Sequence, residues 1–570
     1  MNPSGRLEGL PLSLCRIVVR IFQLSPGDHW SAGQMIRDKL LCCSLPLKER
    51  AIVPRHCLRF PVGLVTSNID CGCYCRVEPL EAISHPEVSL YVMTHITEAR
   101  RLAKKHMDQL DATAQSDSKG KYDHIEALCG LATSSELTRA QAGTDALFHD
   151  IVEPLSDRFE DSLCEIYIEL FAQVIDYCRR LSAGCDLDRK LSGFGINDQS
   201  ELRLRAIRVR NDAHHSVDRL TKLRKILVLS RVTLGADVAV TSVVLAKMKR
   251  FSPDAEIKFV GGVKAASFFV ADSRIDHLLV GYKRDGVLLD RLHQWVTLTE
   301  MIEQEIEGLK NDEFLIVDPD SRLTQLGMLP LTHHDAGYCF LETRSLYLAE
   351  IEGDFRMVDC GEKTSLGQLV ALQLQAIFGQ DDEVIYPNVH LASSDYALGG
   401  MVREACDRPL AAINLGVGSN ETKRVSGGFE FKLLELLIKR NYGVLLDRGV
   451  GEEESRRMNS LEKSLIENGY SLSRIHRSGV QSADVMTWEG SLSSFAGLIG
   501  VSDLYVGYDS AGGHLASALG VPVITVFAGA PNQKMQERWS PWGCATTNVV
   551  SVSPNEEVNS VLGRVEELLL

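Results

Sequence analysis

Apolar positions along the chain fall into three regimes. Between about 93 and 182 they recur at helical spacing, with Phe159, Leu163, Ile166, Leu170, Val174 and Tyr177 on one face at intervals of three and four. Pro154 is expected to separate this helix from the one before it. From Lys225 the pattern changes to short apolar runs alternating with helical stretches. It predicts strands at 226–229, 257–260, 277–280 and 314–317 and a helix at 238–248. After a helical stretch at 369–378, residues 381–408 read as a connector, and the alternation then restarts. Strands are expected at 411–415, 444–446, 504–506 and 523–526, with helices at 431–439, 452–467 and 492–498 between them. Val558, Val561, Leu562, Val565 and Leu568 form the stripe of a closing helix. The polar stretch 186–221 reads as a linker, with a charged helix within it as the alternative, and the first 92 residues show no sustained period.

Strands separated by helices imply a parallel sheet covered on both faces, and the restart implies a second one. The chain is therefore expected to be α/β, with two Rossmann-like doubly wound domains, 223–380 and 381–570, facing a cleft. Ligands of such sheets lie at the carboxyl ends of the strands. A helical region with linker, 93–222, precedes them, either as a docking or dimerising module or as a cap packed on the neighbouring domain. The segment 1–92 reads as a poorly ordered or non-native extension, with Met93 as an alternative start.

Composition narrows the function. The 570 residues carry a formal net charge of −15, which disfavours nucleic acid as a partner, so an anionic ligand needs a local basic patch. No run approaches the roughly 18 apolar residues of a spanning helix, and Arg16 and Arg20 interrupt the apolar stretch near the N-terminus. The expectation is a cytoplasmic protein whose fifteen cysteines are free thiols. Cys71, Cys73 and Cys75 fit no common zinc spacing, and His333 and His334 beside Asp335 read as ordinary polar residues, so neither metal nor cofactor is expected.

Candidate chemistry centres on 504–527, which reads as strand, glycine turn, helix and strand. In the turn, Asp509, Ser510, Gly512 and Gly513 precede a helix whose first N–H groups lack partners, a ready anion site if bare glycines let a phosphate approach. The alternative is that Asp509 or Ser510 only caps the helix. A glycine-rich loop from Gly416 ends in Lys423 and Arg424, which could neutralise a leaving phosphate or simply be solvated. Asp447 and the run Glu452, Glu453, Glu454 follow the next strand, at a height suited to ribose hydroxyls or merely to the positive end of a helix. In the first domain, Arg231, Asp318, Asp320, Arg322 and Arg344 lie where an acceptor would bind, although Asp-Pro-Asp-Ser also suits a turn. Asp237 is a candidate general base or the N-cap of the helix that follows it.

The segment Asp509-Ser-Ala-Gly-Gly-His514, followed by Leu-Ala-Ser-Ala-Leu-Gly-Val-Pro, together with Ser230-Arg-Val-Thr-Leu-Gly-Ala-Asp-Val238, resembles glycosyltransferase family 9, the ADP-heptose:lipopolysaccharide heptosyltransferases. The resemblance spans roughly 223 to 570. It implies a GT-B fold with an acceptor domain followed by a donor domain, and inverting, metal-independent transfer of heptose or a similar sugar from a nucleotide-diphosphate sugar. The acceptor would be a glycan or lipid-linked molecule of lipopolysaccharide type, reached by transient contact with the inner face of a membrane. By motif, Asp509, Ser510, Gly512 and His514 would line the diphosphate site, Lys423 would contact phosphate, the 452–454 cluster would approach the ribose, and Asp237 would be the base. The family's base motif sets leucine, glycine and aspartate in succession, whereas here Ala236 intervenes. Inside a helix such an insertion turns the carboxylate by about 100°; in a loop it is absorbed. The family's threonine, glycine, leucine and threonine are replaced by Ser510, Ala511, Gly512 and Gly513, so heptose specificity does not follow. A catalytically silent sugar-nucleotide-binding or scaffold protein of the same fold is the alternative.

Overall fold

The computed structural model describes residues 86–113, 123–211, 220–282, 286–344, 349–351, 354–356, 364–379, 383–418 and 420–569. Two parallel sheets dominate. The first comprises β1 (Lys225–Leu229), β2 (Glu256–Gly261), β3 (Ile275–Leu279), β4 (Phe314–Asp318) and β5 (Tyr338–Phe340), in the order β3-β2-β1-β4-β5. A short antiparallel hairpin, β6 (Ala349–Ile351) with β7 (Asp354–Arg356), follows it. The second comprises β8 (Leu410–Asn414), β9 (Gly443–Asp447), β10 (Leu472–Arg474), β11 (Val485–Trp488), β12 (Leu504–Tyr508), β13 (Val523–Phe527) and β14 (Thr547–Ser551). Its order is β10-β11-β9-β8-β12-β13-β14. Strand order reverses between β1 and β4 in one sheet and between β8 and β12 in the other, and crevices for ligands open at such switch points.

Alternate residues of β1 face opposite layers, as the two-residue period of a strand requires. Ile226 and Val228 pack with Val240, Val244 and Leu374, whereas Leu227 and Leu229 pack with Leu170, Phe171 and Trp295. The second layer is supplied largely by the N-terminal helices, so the helical region covers a face of the first sheet. Its helices are Pro86–Thr113, Asp123–Ala132, Leu137–Asp145, Glu153–Asp157 and Asp161–Arg179. Helix Pro86–Thr113 runs through Met93. The cysteines and arginines read in residues 1–85 lie outside the described residues.

Several expectations are corrected. Pro154 does not break the helical run: it sits in the first turn of Glu153–Asp157, after a π-turn at Ala146–Val152. Proline's missing N–H is tolerated in a first turn. The break falls at 158–160, where Phe159 adopts φ 54° and is held there by burial of its ring, only 4% exposed. The stretch 186–221 holds the charged helix Gln199–Asn211 that its sequence allows and, beyond that, helix Cys185–Gly193, with Arg179 bonded to the Ile196 carbonyl at 2.9 Å and Arg205 paired with Asp335 at 3.2 Å. The supposed connector 381–408 contains helix Ser393–Ala405, packed on helix Leu492–Ile499. Gly399 and Gly497 let these two backbones approach, so residues that read as loop formers mark a helix crossing. Strands β5, β10, β11 and β14, of three to five residues, lie beyond the predicted set.

Candidate active site

In the second sheet β12 leads through Asp509 and Ser510 into helix Ala511–Ala518. Ser510 occupies the N-cap position without capping: its hydroxyl lies 3.4 Å from Asn414 Oδ1. The first turn of this helix therefore takes no bond from that side chain, and its N–H groups keep their affinity for an anion. Asp509 is ion-paired with Lys423 Nζ, which is also 3.5 Å from the Asp509 carbonyl. Lys423 belongs to the loop after β8, so Lys423, Asp509 and Ser510 meet at the β8/β12 switch point. Behind them Asn414 Nδ2 donates to Asp447 Oδ2 at 2.7 Å, and the Gly416 N–H donates to Asn414 Oδ1 at 3.1 Å. Burial raises the Asp447 carboxyl to about 6. Asn414, absent from the expected set, was signalled only as a polar residue closing an apolar strand.

The other residues expected at the donor site have neighbours of their own. A Cβ on Gly512 would collide with the Tyr505 hydroxyl, and one on Gly513 would lie 3.3 Å from both Pro541 Cγ and Thr525 Oγ1. A side chain at either glycine would therefore meet buried neighbours. His514 is 5% exposed, its ring 6.0 Å from that of Trp539, and burial lowers its pKa to about 4, so it is a neutral packing residue. Arg424 turns away to Glu421 at 2.7 Å and Glu430 at 3.4 Å. Glu452 and Glu453 are exposed in the first turn of helix Glu452–Glu467. Glu454 is the member that turns inward: it accepts from the Val450 N–H at 2.9 Å, and its Oε1 would lie 3.1 Å from a Gly416 Cβ.

In the first domain the inserted Ala236 falls inside a helix. Leu234–Ala236 is helical and continues into a π-turn, Asp237–Thr241. Asp237 therefore does not start the helix, and its carboxylate is wholly buried. It accepts from Ser230 Oγ at 2.7 Å, the Arg231 N–H at 2.8 Å and Thr241 Oγ1 at 2.8 Å. Burial outweighs these bonds and raises its pKa to about 6. The role that geometry gives it is to tie the β1 loop to its helix. Asp318 is equally buried, accepting from the Ser321 N–H at 2.6 Å and from Thr324 and Tyr338 at 2.5 Å each. Asp320 holds Arg344 at 2.8 Å, Thr343 at 2.6 Å and Arg231 at 3.4 Å. These are internal networks, not an open acceptor surface; of the five acceptor expectations Arg322 alone is outside the buried class. His333 stacks on Phe194 at 4.3 Å, and Asp335 pairs with Arg205 and Arg208.

The two switch points meet. A Cβ on Gly235 would stand 3.3 Å from Ala511 Cα and from His514 Cδ2, so glycine here permits the close approach of the domains. The Arg231 guanidinium lies 5.8 Å from the Trp539 ring centroid, with Nη1 buried and unpartnered among the described residues. Burial, abetted by Arg344 and Arg322, lowers the Arg231 pKa to about 10. The charges of Lys423, Arg322 and Arg344 also act on the carboxyl of Asp157, at the end of helix Glu153–Asp157. A cavity of about 640 Å³ opens elsewhere, between helices Cys185–Gly193 and Leu288–Glu305, and none of the expected donor residues lines it.

Residues 401–565, which contain all of the second sheet, match the family model Glycosyltransferase family 9 (heptosyltransferase). This segment is a family 9 glycosyltransferase domain. No curated protein sequence matches the chain. Among solved structures, a family 9 glycosyl transferase from Veillonella parvula is similar over 60% of this chain and 91% of its own, at 14% identity and TM-score 0.42. ADP-heptose lps heptosyltransferase II of E. coli is similar over 60% and 97%, at 14% and 0.41. An E. coli heptosyltransferase with ADP is similar over 60% and 99%, at 15% and 0.40. Asn414, Lys423, Asp447, Asp509 and Ser510 lie inside the family 9 segment; Asp157 and Asp237 lie outside it.

Proposed function

We propose that the chain is an inverting, metal-independent glycosyltransferase that moves a sugar, heptose or similar, from a nucleotide-diphosphate sugar to a hydroxyl of a glycan or lipid-linked acceptor. The observation that carries this reading is the uncapped start of helix Ala511–Ala518 beside Lys423, at the switch point of a family 9 domain. Backbone donors and one ammonium suit a diphosphate, and they stabilise the charge that builds on it as it leaves. The Asn414 and Asp447 pair at the neighbouring strand ends supplies hydrogen-bonding groups for ribose hydroxyls.

A thermal-shift series with ADP-, GDP-, UDP- and dTDP-sugars tests the donor site. A true donor at 100 times its dissociation constant adds about 2.7 kcal/mol of stability. Lys423→Met is expected to weaken that donor about tenfold, the worth of roughly 1.4 kcal/mol from one charged contact. No shift with any nucleotide would end the reading. Burial of Asp237 supports a second reading, a silent sugar-nucleotide-binding protein, which donor binding without transfer to any acceptor would favour.

A further inference from the structure

We propose that Asp157, supplied by the helical region and not by either sheet domain, is the carboxylate that takes the acceptor's proton. The inference rests on the transferase reading above. Helix Glu153–Asp157 ends at the junction of the two sheet domains, and the following residues are pinned there. Asn532 Nδ2 of the second domain donates to the Arg158 carbonyl at 3.0 Å, and the Phe159 ring is buried in the core that includes β1 and β12 residues. Asp157 is thereby held half-buried at this junction, where Arg322 Nη1 of the first domain lies 3.9 Å from Glu153 Oε1 of the same helix and the charges of Lys423 from the second domain and of Arg322 and Arg344 from the first act on the Asp157 carboxyl.

What separates Asp157 from its neighbours is its lack of partners. Asp237, Asp318, Asp320, Asp447 and Asp509 each hold hydrogen bonds or an ion pair. Among the described residues the Asp157 carboxylate accepts no hydrogen bond and forms no ion pair within 4 Å. It remains free to accept a hydrogen bond from a hydroxyl entering the junction. Burial raises its pKa to about 6 against the opposing pull of Lys423, Arg322 and Arg344, which leaves it ionised at neutral pH and basic enough to act there. In the step, the acceptor O–H proton passes to an Asp157 oxygen and the freed lone pair forms a bond to the anomeric carbon. The bond from that carbon to the β-phosphate oxygen breaks, and its electron pair leaves on the nucleoside diphosphate beside Lys423.

Asp157→Asn keeps the shape and removes the charge. Transfer is expected to fall by roughly 100-fold or more, and the acid limb of kcat/KM near pH 6 should disappear. Binding of ADP, measured by calorimetry, should tighten several-fold at pH 8 and change little at pH 5, because an anion has been removed from beside Lys423. Asp157→Glu should restore part of the transfer and the limb. A merely structural role would leave the limb in place; the ADP measurement tests separately that the Asp157 charge acts at the Lys423 site. Transfer within threefold of wild type, or ADP affinity at pH 8 unchanged by Asp157→Asn, overturns the proposal while leaving the transferase reading intact. Failure of the unaltered protein to bind any nucleotide overturns both.

Discussion

Replacing Asp237 with asparagine separates an internal structural carboxylate from a base. Burial raises the Asp237 carboxyl from its ordinary value of 3.8 to about 6. The native state therefore holds this proton more tightly than the unfolded chain between those two values. The stabilisation is fully present below pH 4 and is lost as pH rises through 6. Two units at about 1.4 kcal/mol each make the ionised form roughly 3 kcal/mol less favourable to the fold than the protonated form. Asparagine resembles the protonated acid: its oxygen can accept from the Arg231 N–H and Thr241, and its amide can donate to Ser230 Oγ. Asp237→Asn is thus expected to stabilise the protein by up to about 3 kcal/mol at pH 8 and to be nearly neutral at pH 4. Asp237→Ala strips the buried Arg231 N–H of its acceptor, at about 1–3 kcal/mol, and leaves a cavity besides, so it should destabilise at both values. Urea unfolding of the three proteins at each pH reads these differences directly, because the other buried carboxyls cancel between variants. Loss of stability in Asp237→Asn at pH 8 would refute the argument. Transfer should survive in Asp237→Asn, and its abolition in a folded variant would return the base to Asp237.

Arg424→Gln should leave ADP affinity within about twofold, since Arg424 faces Glu421 and Glu430 and not the helix start. Burial raises Glu430 to about 7, so the same variant should lose stability chiefly above that pH, where the carboxylate is charged, as urea unfolding at pH 6 and 8 would report. Gly512→Ala forces a methyl group onto the buried Tyr505 ring and should cost roughly 1–3 kcal/mol of stability, visible as a lower Tm. An unchanged Tm with lost ADP binding would instead show that this glycine serves a ligand.

The strands and helices around β12 were legible because their apolar runs are buried on every side, and burial of that kind leaves its mark in each residue. The grouping of Lys423, Asp509 and Ser510 was legible for a related reason: all three follow strands at one switch point, so topology alone brings them together. The role of Gly512 was not, because a missing Cβ does not declare whether a ligand or a tyrosine fills its place. Gly399, in the stretch that read as a connector, was likewise illegible, because it is Gly399 and the remote Gly497 together that let two helices cross.

Asp157 was illegible for the plainest reason: its significance comes from Lys423, Arg322 and Arg344, all remote in the chain. The apolar stripe after it revealed a helix but not what the helix covers. The inserted Ala236 was visible, yet its consequence depends on the neighbours of the displaced carboxylate. The two observations account for each other. Once a carboxylate reaches the junction from the helical cap, the one on the β1 loop is released from chemistry and can be buried as an internal ligand for Ser230, Arg231 and Thr241. The cap is then part of the site: removing it would expose a face of the first sheet and take away the proton acceptor in the same stroke.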